Sequence, residues 1–461
     1  MTPSPHAPNR ARTRSTERES KSLRDSGLSM RFLKDNLISA IATVATGTLT
    51  FGLQSYAGHN MSPANYGRTF ALFGFYGILT RPARSFGRQV AWHMSRRSDE
   101  EINGPSLADS VLLRLTLWLF SAGIVIGLIS TAYSAVIANF FHAKPSDVLV
   151  TAWAAPFVLG LQTLKGALEG ERRFLTWSAI NVMVPALYVV GVVSLLTNFQ
   201  VFGVLLAMAL GSTIGFFVCV AVLRQSLARA VRVPMKVPWL KDLPFLTNGI
   251  VATLTNGVFL SADVVVIQHY LSHQVSGQYA VVAAIGNILF SVTTGVVNVM
   301  FPYVAERQSK GLSAGPIVFS IIGIFALGTA IGAIFLQFFG AEILRFYAGS
   351  RYIGGASYLG WYAIGMGILS WSTTLMHAQQ VRNRFTLLWA LIPALVARVA
   401  LLLLFHKSPL QVVLVTDALV LVFATSLFAM FLKDESEVHR KNQVFGTKSH
   451  ETAPPTDDAR E

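Results

Sequence analysis

From Asn36 to Leu432 the chain is a succession of apolar windows, each close to the ~20 residues a helix needs to cross ~30 Å of hydrocarbon. They fall at 36–57, 66–92, 107–136, 147–168, 174–197, 200–223, 244–269, 276–303, 316–339, 355–379, 385–405 and 409–432. The runs are continuously apolar, without the period-two alternation of barrel strands, so they predict membrane-spanning helices. Charge excludes a soluble globule. Only 13% of the 461 residues are charged and 52% are hydrophobic, too few charges to clothe the surface of a domain this long. The lone Cys219 excludes an intrachain disulfide and a cysteine metal cluster.

Lysine and arginine bias their loops toward the cytoplasm. With the N-terminus inside, the inner segments collect 30 Lys and Arg and the outer segments 5, namely Arg68, Lys144, Arg345, Arg351 and Lys407. The net charge of +14 therefore reads as anchoring at one membrane face. It is spread over many loops and not gathered on one wetted surface, which argues against nucleic acid. The expected location is the cell membrane, multi-pass, with both termini cytoplasmic.

The longest polar connection, 225–242, carries four basic residues, with Arg224 just before it, and Pro234 and Pro238, and divides the windows six and six. A repeat supports the division. His59-Asn60-Met61-Ser62 followed by Gly67 recurs as His269-Tyr270-Leu271-Ser272 followed by Gly277, at a spacing of 210. Arg173-Phe174 and Arg384-Phe385 echo it 211 apart. Equivalent positions share one orientation, as in a parallel repeat about the membrane normal. The expected architecture is an all-α integral membrane protein of twelve transmembrane helices, in two pseudo-symmetric six-helix bundles around a central cavity. Its parts are a basic cytoplasmic tail (1–34), one lobe (35–225), a linker (226–243), a second lobe (244–433) and a further cytoplasmic tail (434–461).

Several loose patterns together carry a family likeness: Asn36 opening the first window, Met61-Ser62-Pro63-Ala64-Asn65-Tyr66-Gly67, Ala262-Asp263, Leu271-Ser272, Gly277-Gln278-Tyr279, Phe301-Pro302 before Arg307, and Phe346-Tyr347-Ala348-Gly349 with Tyr352. On these residues, over about 36–432, the chain resembles the polysaccharide flippases of the multidrug/oligosaccharidyl-lipid/polysaccharide exporter superfamily. The resemblance implies transport by alternating access, with no enzymatic step, of a lipid-linked saccharide of the polysaccharide or O-antigen precursor type. The chain departs from the pattern in its long charged tails and its unusually basic second window.

That second window is the most informative. Its uninterrupted apolar stretch, Phe70–Leu79, is about half a span, so the span must continue through Arg81, Arg84 and Arg88. At about 100° per residue these arginines share one face, and Gly74 and Gly77 extend it. One reading is a passage whose arginines bind a polyprenyl diphosphate, since the guanidinium fork donates two parallel hydrogen bonds. The other is a set of snorkelling interface anchors. Arg114 either joins the row or anchors the third span. Asp263, late in the seventh span, is a candidate coupling or gating carboxylate or else a hydrogen-bonded structural one. Arg398 and Asp417 lie at similar depth in consecutive antiparallel spans and are expected to form a structural ion pair.

Asn36, Gln54, Asn248, Asn256 and Asn287 read as interhelical hydrogen-bonding groups or as a cavity lining for sugar. Trp92, Trp153, Trp177 and Tyr352 read as interface-belt aromatics. His142 and His406 read as loop residues without partners, and no histidine pair has metal-ligand spacing. No nucleotide-binding loop, nucleophile elbow or zinc-protease motif occurs, so neither cofactor nor metal is expected. A cation-coupled multidrug exporter shares the same helical plan and is the alternative. A membrane-embedded polymerase, ligase or glycosyltransferase would need a large outer loop or paired acidic residues. Expected partners are membrane lipid, the lipid-linked oligosaccharide and, through the tails, cytoplasmic glycan-biosynthesis proteins.

Overall fold

A computed structural model describes residues 37–97, 106–232, 243–309, 313, 315–380 and 385–451. The two tails, apart from 434–451, and most of the 226–243 linker lie outside it, as do Asn36, Arg382 and Arg384. All regular structure among the described residues is helical. The elements are α1 (Leu37–Asn60), α2 (Pro63–Thr80), α3 (Ala83–Ser95), α4 (Leu107–Ala132), α5 (Ser134–Phe141), α6 (Pro145–Gly170), α7 (Phe174–Val222) and α8 (Arg224–Ala230). After the linker come α9 (Leu243–Tyr270), α10 (His273–Ser309), α11 (Gly315–Ala348), α12 (Ala356–Gln380), α13 (Leu388–Leu404) and α14 (Pro409–Glu451). Seven described helices are long and apolar enough to cross a membrane: Leu37–Asn60, Leu107–Ala132, Pro145–Gly170, Phe174–Val222, Leu246–Tyr270, Gly315–Ala348 and Pro409–Ser436. Helix α12 spans 25 residues but is rich in Ser, Thr and Tyr and buried along most of its length. Because protein covers it, it has no need of a lipid-compatible surface.

Local chemistry sets the helix ends. Ser62 caps α2, accepting from the Asn65 N–H at 3.3 Å, and Pro63 occupies the first turn. Ser106 and Asp109 form a reciprocal capping box on α4. The expected 66–92 span is two helices, because Pro82 has no N–H to continue the ladder and the chain turns at Arg81-Pro82. The expected 174–197 and 200–223 windows are the arms of the single run α7, which breaks at Gln200 with φ 47°. The arms pack on each other: a Cβ at Gly191 would meet Ala207 Cβ at 2.7 Å, and the Tyr188 and Ser212 hydroxyls are 2.7 Å apart.

Among the described residues Arg97, Arg173 and Arg229 gather about Asp109 and Glu171 at one end, the basic end, and the turns after α1 and α9 meet at the other, the charge-poor end. At the charge-poor end, residues before and after the linker share one hydrophobic core, in which Leu53, Met61, Tyr66, Phe70, Phe141 and Leu205 join Phe259, Tyr279, Tyr347 and Tyr352. A second, smaller core holds α3, α4, α6 and α7 together toward the basic end, with Leu246 the one buried residue from beyond the linker. The joining contacts are tight. A Cβ at Gly277 would lie 2.0 Å from the Pro63 carbonyl, and one at Gly67 would lie 2.7 Å from Ser276 Oγ and 3.0 Å from Gly277 N. The two repeat-related glycines thus meet in one contact, each needed because backbone takes the place of a side chain. Nearby, Tyr347 OH donates to Gln54 Oε1 at 2.8 Å, Tyr352 OH to the Met61 carbonyl at 3.2 Å, and Arg351 to the His59 carbonyl at 2.7 Å. Tyr352 is fully buried, so it is a joint in this contact and not the interface aromatic its sequence position suggested.

Helices α3 and α6 touch backbone to backbone. A Cβ at Gly166 would lie 2.0 Å from the Gly87 carbonyl, and one at Gly170 2.5 Å from that of Ala91. Small residues permit this approach within a membrane. Gly166→Val should push the helices apart and cost about 3 kcal/mol, the upper end for overpacking. The check is the unfolding midpoint of the purified protein, with Gly323→Val, at an open surface position, expected to leave it unchanged.

Candidate functional site

The α3–α6 contact brings the basic row together. On α3, Ser85 marks the side toward α9, where its hydroxyl lies 3.2 Å from that of Thr253. Gly87 packs on α6 and Phe86 on Trp118 of α4. At about 100° per residue, Arg84 and Arg88 fall opposite Phe86, between the α6 and α9 sides. They therefore face the space between those helices and not the exposed Trp118 side. Arg81, at the turn before α3, runs along α9, where a Cβ at Gly257 would meet its Cδ at 2.9 Å. Arg84 is exposed, and Arg81 and Arg88 are half-buried.

Lys165, one residue before Gly166 on α6, adds a fourth cation. The charge of Arg84 acts on Arg81, on Arg88 and on Lys165. Glu169, one turn beyond Lys165, acts on Arg88, and the charge of Arg88 reaches His377 of α12, beyond the linker. Ser85, Arg88, Asn248, Gly249 and Gln380 line a small polar cavity beside the row.

Among the described residues these cations differ from their neighbours in having no ion-pair partner. At the basic end Arg97 pairs with Asp109 and, at 3.3 Å, with Glu171. Arg229 lies 3.6 Å from Asp109, and Arg173 3.6 Å from Glu171. Among the described residues no carboxylate comes within 4.0 Å of Arg81, Arg84, Arg88 or Lys165. Four cations held on adjoining faces, with Glu169 the carboxylate acting on the row among the described residues, present a positive field that a multivalent anion satisfies best.

The remaining sequence expectations divide. Arg114 is half-buried on α4. Gly77 borders open space, whereas Gly74 packs against Ser261, with a Cβ there 3.2 Å from that of Ser261. The glycine face is therefore shared between the open space and a helix contact. His142 and His406 are not partnerless, since His142 lies against His269 and His273 and His406 stacks on Tyr270 at 3.8 Å.

Asp263, Arg398 and Asp417 come together in the half beyond the linker. Asp263 is completely buried. Its Oδ2 accepts from Tyr279 OH at 2.8 Å and Tyr362 OH at 3.2 Å, and lies 3.6 Å from Arg398 Nη2. Arg398 also donates to Thr416 and lies 5.5 Å above the Phe259 ring. The direct ion pair is thus Arg398 with Asp263. Asp417 feels both charges while its Oδ2 has no hydrogen-bond partner. It borders a small cavity with Tyr362, Gly365 and Thr416. Tyr279 and Tyr362 are the ligands that sequence reasoning missed, and the Gly277-Gln278-Tyr279 pattern was the available signal. No group of three His, Cys, Asp or Glu among the described residues is arranged to hold a metal ion.

No protein-family profile matches the chain, and no curated protein matches it by sequence. Solved structures do. The chain is similar to the lipid II flippase MurJ in its inward closed conformation, with a TM-score of 0.65 and 15% identity over 92% of this chain and 94% of that one. It is similar to the eukaryotic MATE transporter AtDTX14, at 0.63 and 13% over 89% and 99%. A third likeness is to a multidrug resistance MATE family transporter of the MOP superfamily in its inward-facing conformation, at 0.62 and 12% over 87% and 99%. These neighbours are transporters or flippases rather than enzymes, and the fold of this chain is theirs: helical, multi-pass and membrane-embedded.

Proposed function

We propose that this protein is a flippase that carries a polyprenyl-diphosphate-linked oligosaccharide, of the polysaccharide or O-antigen precursor type, across the cell membrane by alternating access. The observation that carries the reading is the row Arg81, Arg84, Arg88 and Lys165, which faces the space between α6 and α9 without an ion-pair partner among the described residues. Guanidinium groups bind phosphate through paired hydrogen bonds and keep their charge. Arg114, half-buried on α4, is the further diphosphate ligand within this reading. The topology within this reading is twelve spans in two six-helix lobes, with both termini and the basic loops cytoplasmic. The row then lies toward the cytoplasmic end, where such a substrate is made, and the closed charge-poor end faces outward. The 1–34 and 434–461 tails are left to meet anionic lipid or the enzymes that supply the substrate.

The shared fold equally supports a cation-coupled multidrug exporter, because two of the neighbours quoted are MATE transporters. The positive field favours the flippase, since it repels the organic cations that such an exporter would move. Reconstitution into proteoliposomes separates the two. A fluorescent polyprenyl-diphosphate oligosaccharide should become accessible on the opposite leaflet at least tenfold faster than in protein-free vesicles, while ethidium movement stays at the protein-free rate. Ethidium transport with no lipid flipping would reverse the assignment.

A further inference from the structure

At the charge-poor end, the contact between the two halves of the chain is built partly from histidines. His142 follows α5 in the first half; His269 ends α9 and His273 begins α10 in the second. The His142 ring lies 4.9 Å from that of His273 and stacks 6.1 Å from that of His269. His269 Nδ1 donates to the Phe140 carbonyl at 2.9 Å and its ring stacks on Phe140 at 4.0 Å. His142 Nε2 donates to the His269 carbonyl at 3.4 Å. Beside them Gln268 Nε2 donates to the Phe141 carbonyl at 3.0 Å. His273 Nδ1 is buried with no hydrogen-bond partner.

His142 and His269 thus each donate through one ring nitrogen across the contact, while His273 packs against His142 with its Nδ1 unpartnered. The surrounding charge opposes a second proton on His273. Arg68 of α2 acts on His273. Lys144 stands two residues beyond His142, and Asp147 of α6 is a carboxylate set against both Lys144 and Arg68. On the far side His406 stacks on Tyr270, with Lys407 next in the chain. Burial, Arg68 and His142 together hold the His273 imidazole below its ordinary 6.5.

We propose that His142, His269 and His273 form a proton-operated clasp: neutral, they join the two halves at the charge-poor end, and protonated, they drive the halves apart. The sign follows from linkage. When the clasp opens, His273 returns toward its ordinary value and binds protons more tightly than when closed. Closure is thus favoured above about pH 6.5, and opening gains as pH falls through that value, by up to tenfold per pH unit for each proton taken up. Each proton also places a new cation beside Arg68 and the other imidazoles.

The test uses the full chain with Cys219→Ala, reconstituted in lipid and spin-labelled at Ser146→Cys and Ser272→Cys, exposed positions on the two sides of the clasp. Between pH 7.5 and 5.5 the inter-label distance distribution should shift toward a longer population, with a midpoint near or below 6.5. His142→Gln/His273→Gln should flatten that response, and His273→Arg should show the longer population already at pH 7.5. A pH-independent distribution in the parent would overturn the proposal. So would an unchanged response in both His273→Gln alone and the double variant, which would place the titrating group elsewhere.

Discussion

Arg398→Met should be the most destabilising single substitution in the half beyond the linker, lowering stability by about 3–5 kcal/mol, the usual cost of breaking a buried ion pair from one side. Arg398 is 1% exposed and is the cation set between Asp263, 3.6 Å away, and Asp417, which feels its charge. Without it two carboxylates face each other in a dry core. Tyr279 and Tyr362 solvate only Asp263, and Asp417 Oδ2 has no hydrogen-bond partner. The double variant Arg398→Met/Asp263→Asn should recover most of the loss, because an asparagine keeps an acceptor for the tyrosines and brings no charge. Asp417→Asn in the otherwise intact protein should cost far less, since Arg398 keeps its direct partner. Unfolding midpoints of the four purified proteins check the order. Equal loss in single and double variants would mean that packing of the long side chain over Phe259, and not charge, is what Arg398 supplies.

The helical, membrane-embedded character of the chain was legible because it rests on window length and composition, which need no tertiary information. Helix breaks were legible only in part. Pro82 announces the division of the second window to anyone who weighs its missing N–H, but an apolar run on both sides invites a continuous span. Gln200 gives no such warning, because its positive φ follows from the packing of the two arms of α7. The arginine row was visible as a stripe on one helix. Its fourth member was not: Lys165 looks like a loop cation until Gly87, Gly166 and Gly170 bring α3 and α6 into backbone contact. Partner choice was harder still. Arg398 and Asp417 have matching depth, yet depth says nothing of rotation about a helix axis, and the guanidinium turns to Asp263 on α9. The histidines of the clasp lie as much as 131 residues apart in sequence, so only the joining of the two halves makes them neighbours.

Arg84→Ala should reduce initial flipping of a polyprenyl-diphosphate oligosaccharide about thirtyfold under subsaturating substrate. Charge-assisted hydrogen bonds are worth roughly 1.5–3 kcal/mol, and each 1.4 kcal/mol is a factor of about ten. Arg84 stands first in the row because it acts on all three other cations and is the most exposed of the arginines. Arg84→Lys should fall between, keeping charge but losing the paired donors that match a phosphate. Arg88→Ala should cost less than Arg84→Ala, since Glu169 already offsets its charge. Glu169→Gln should raise apparent affinity by removing the carboxylate that acts on the row. The pattern discriminates between mechanisms as well as sizes. If the arginines only anchored the helix at the interface, Arg84→Lys would match the parent and Glu169→Gln would have no effect on affinity. If the protein moved organic cations, Arg84→Ala would speed their transport, because it removes the charge that repels them. Flux measured in proteoliposomes of matched protein content, with unfolding midpoints to exclude misfolding, separates all three.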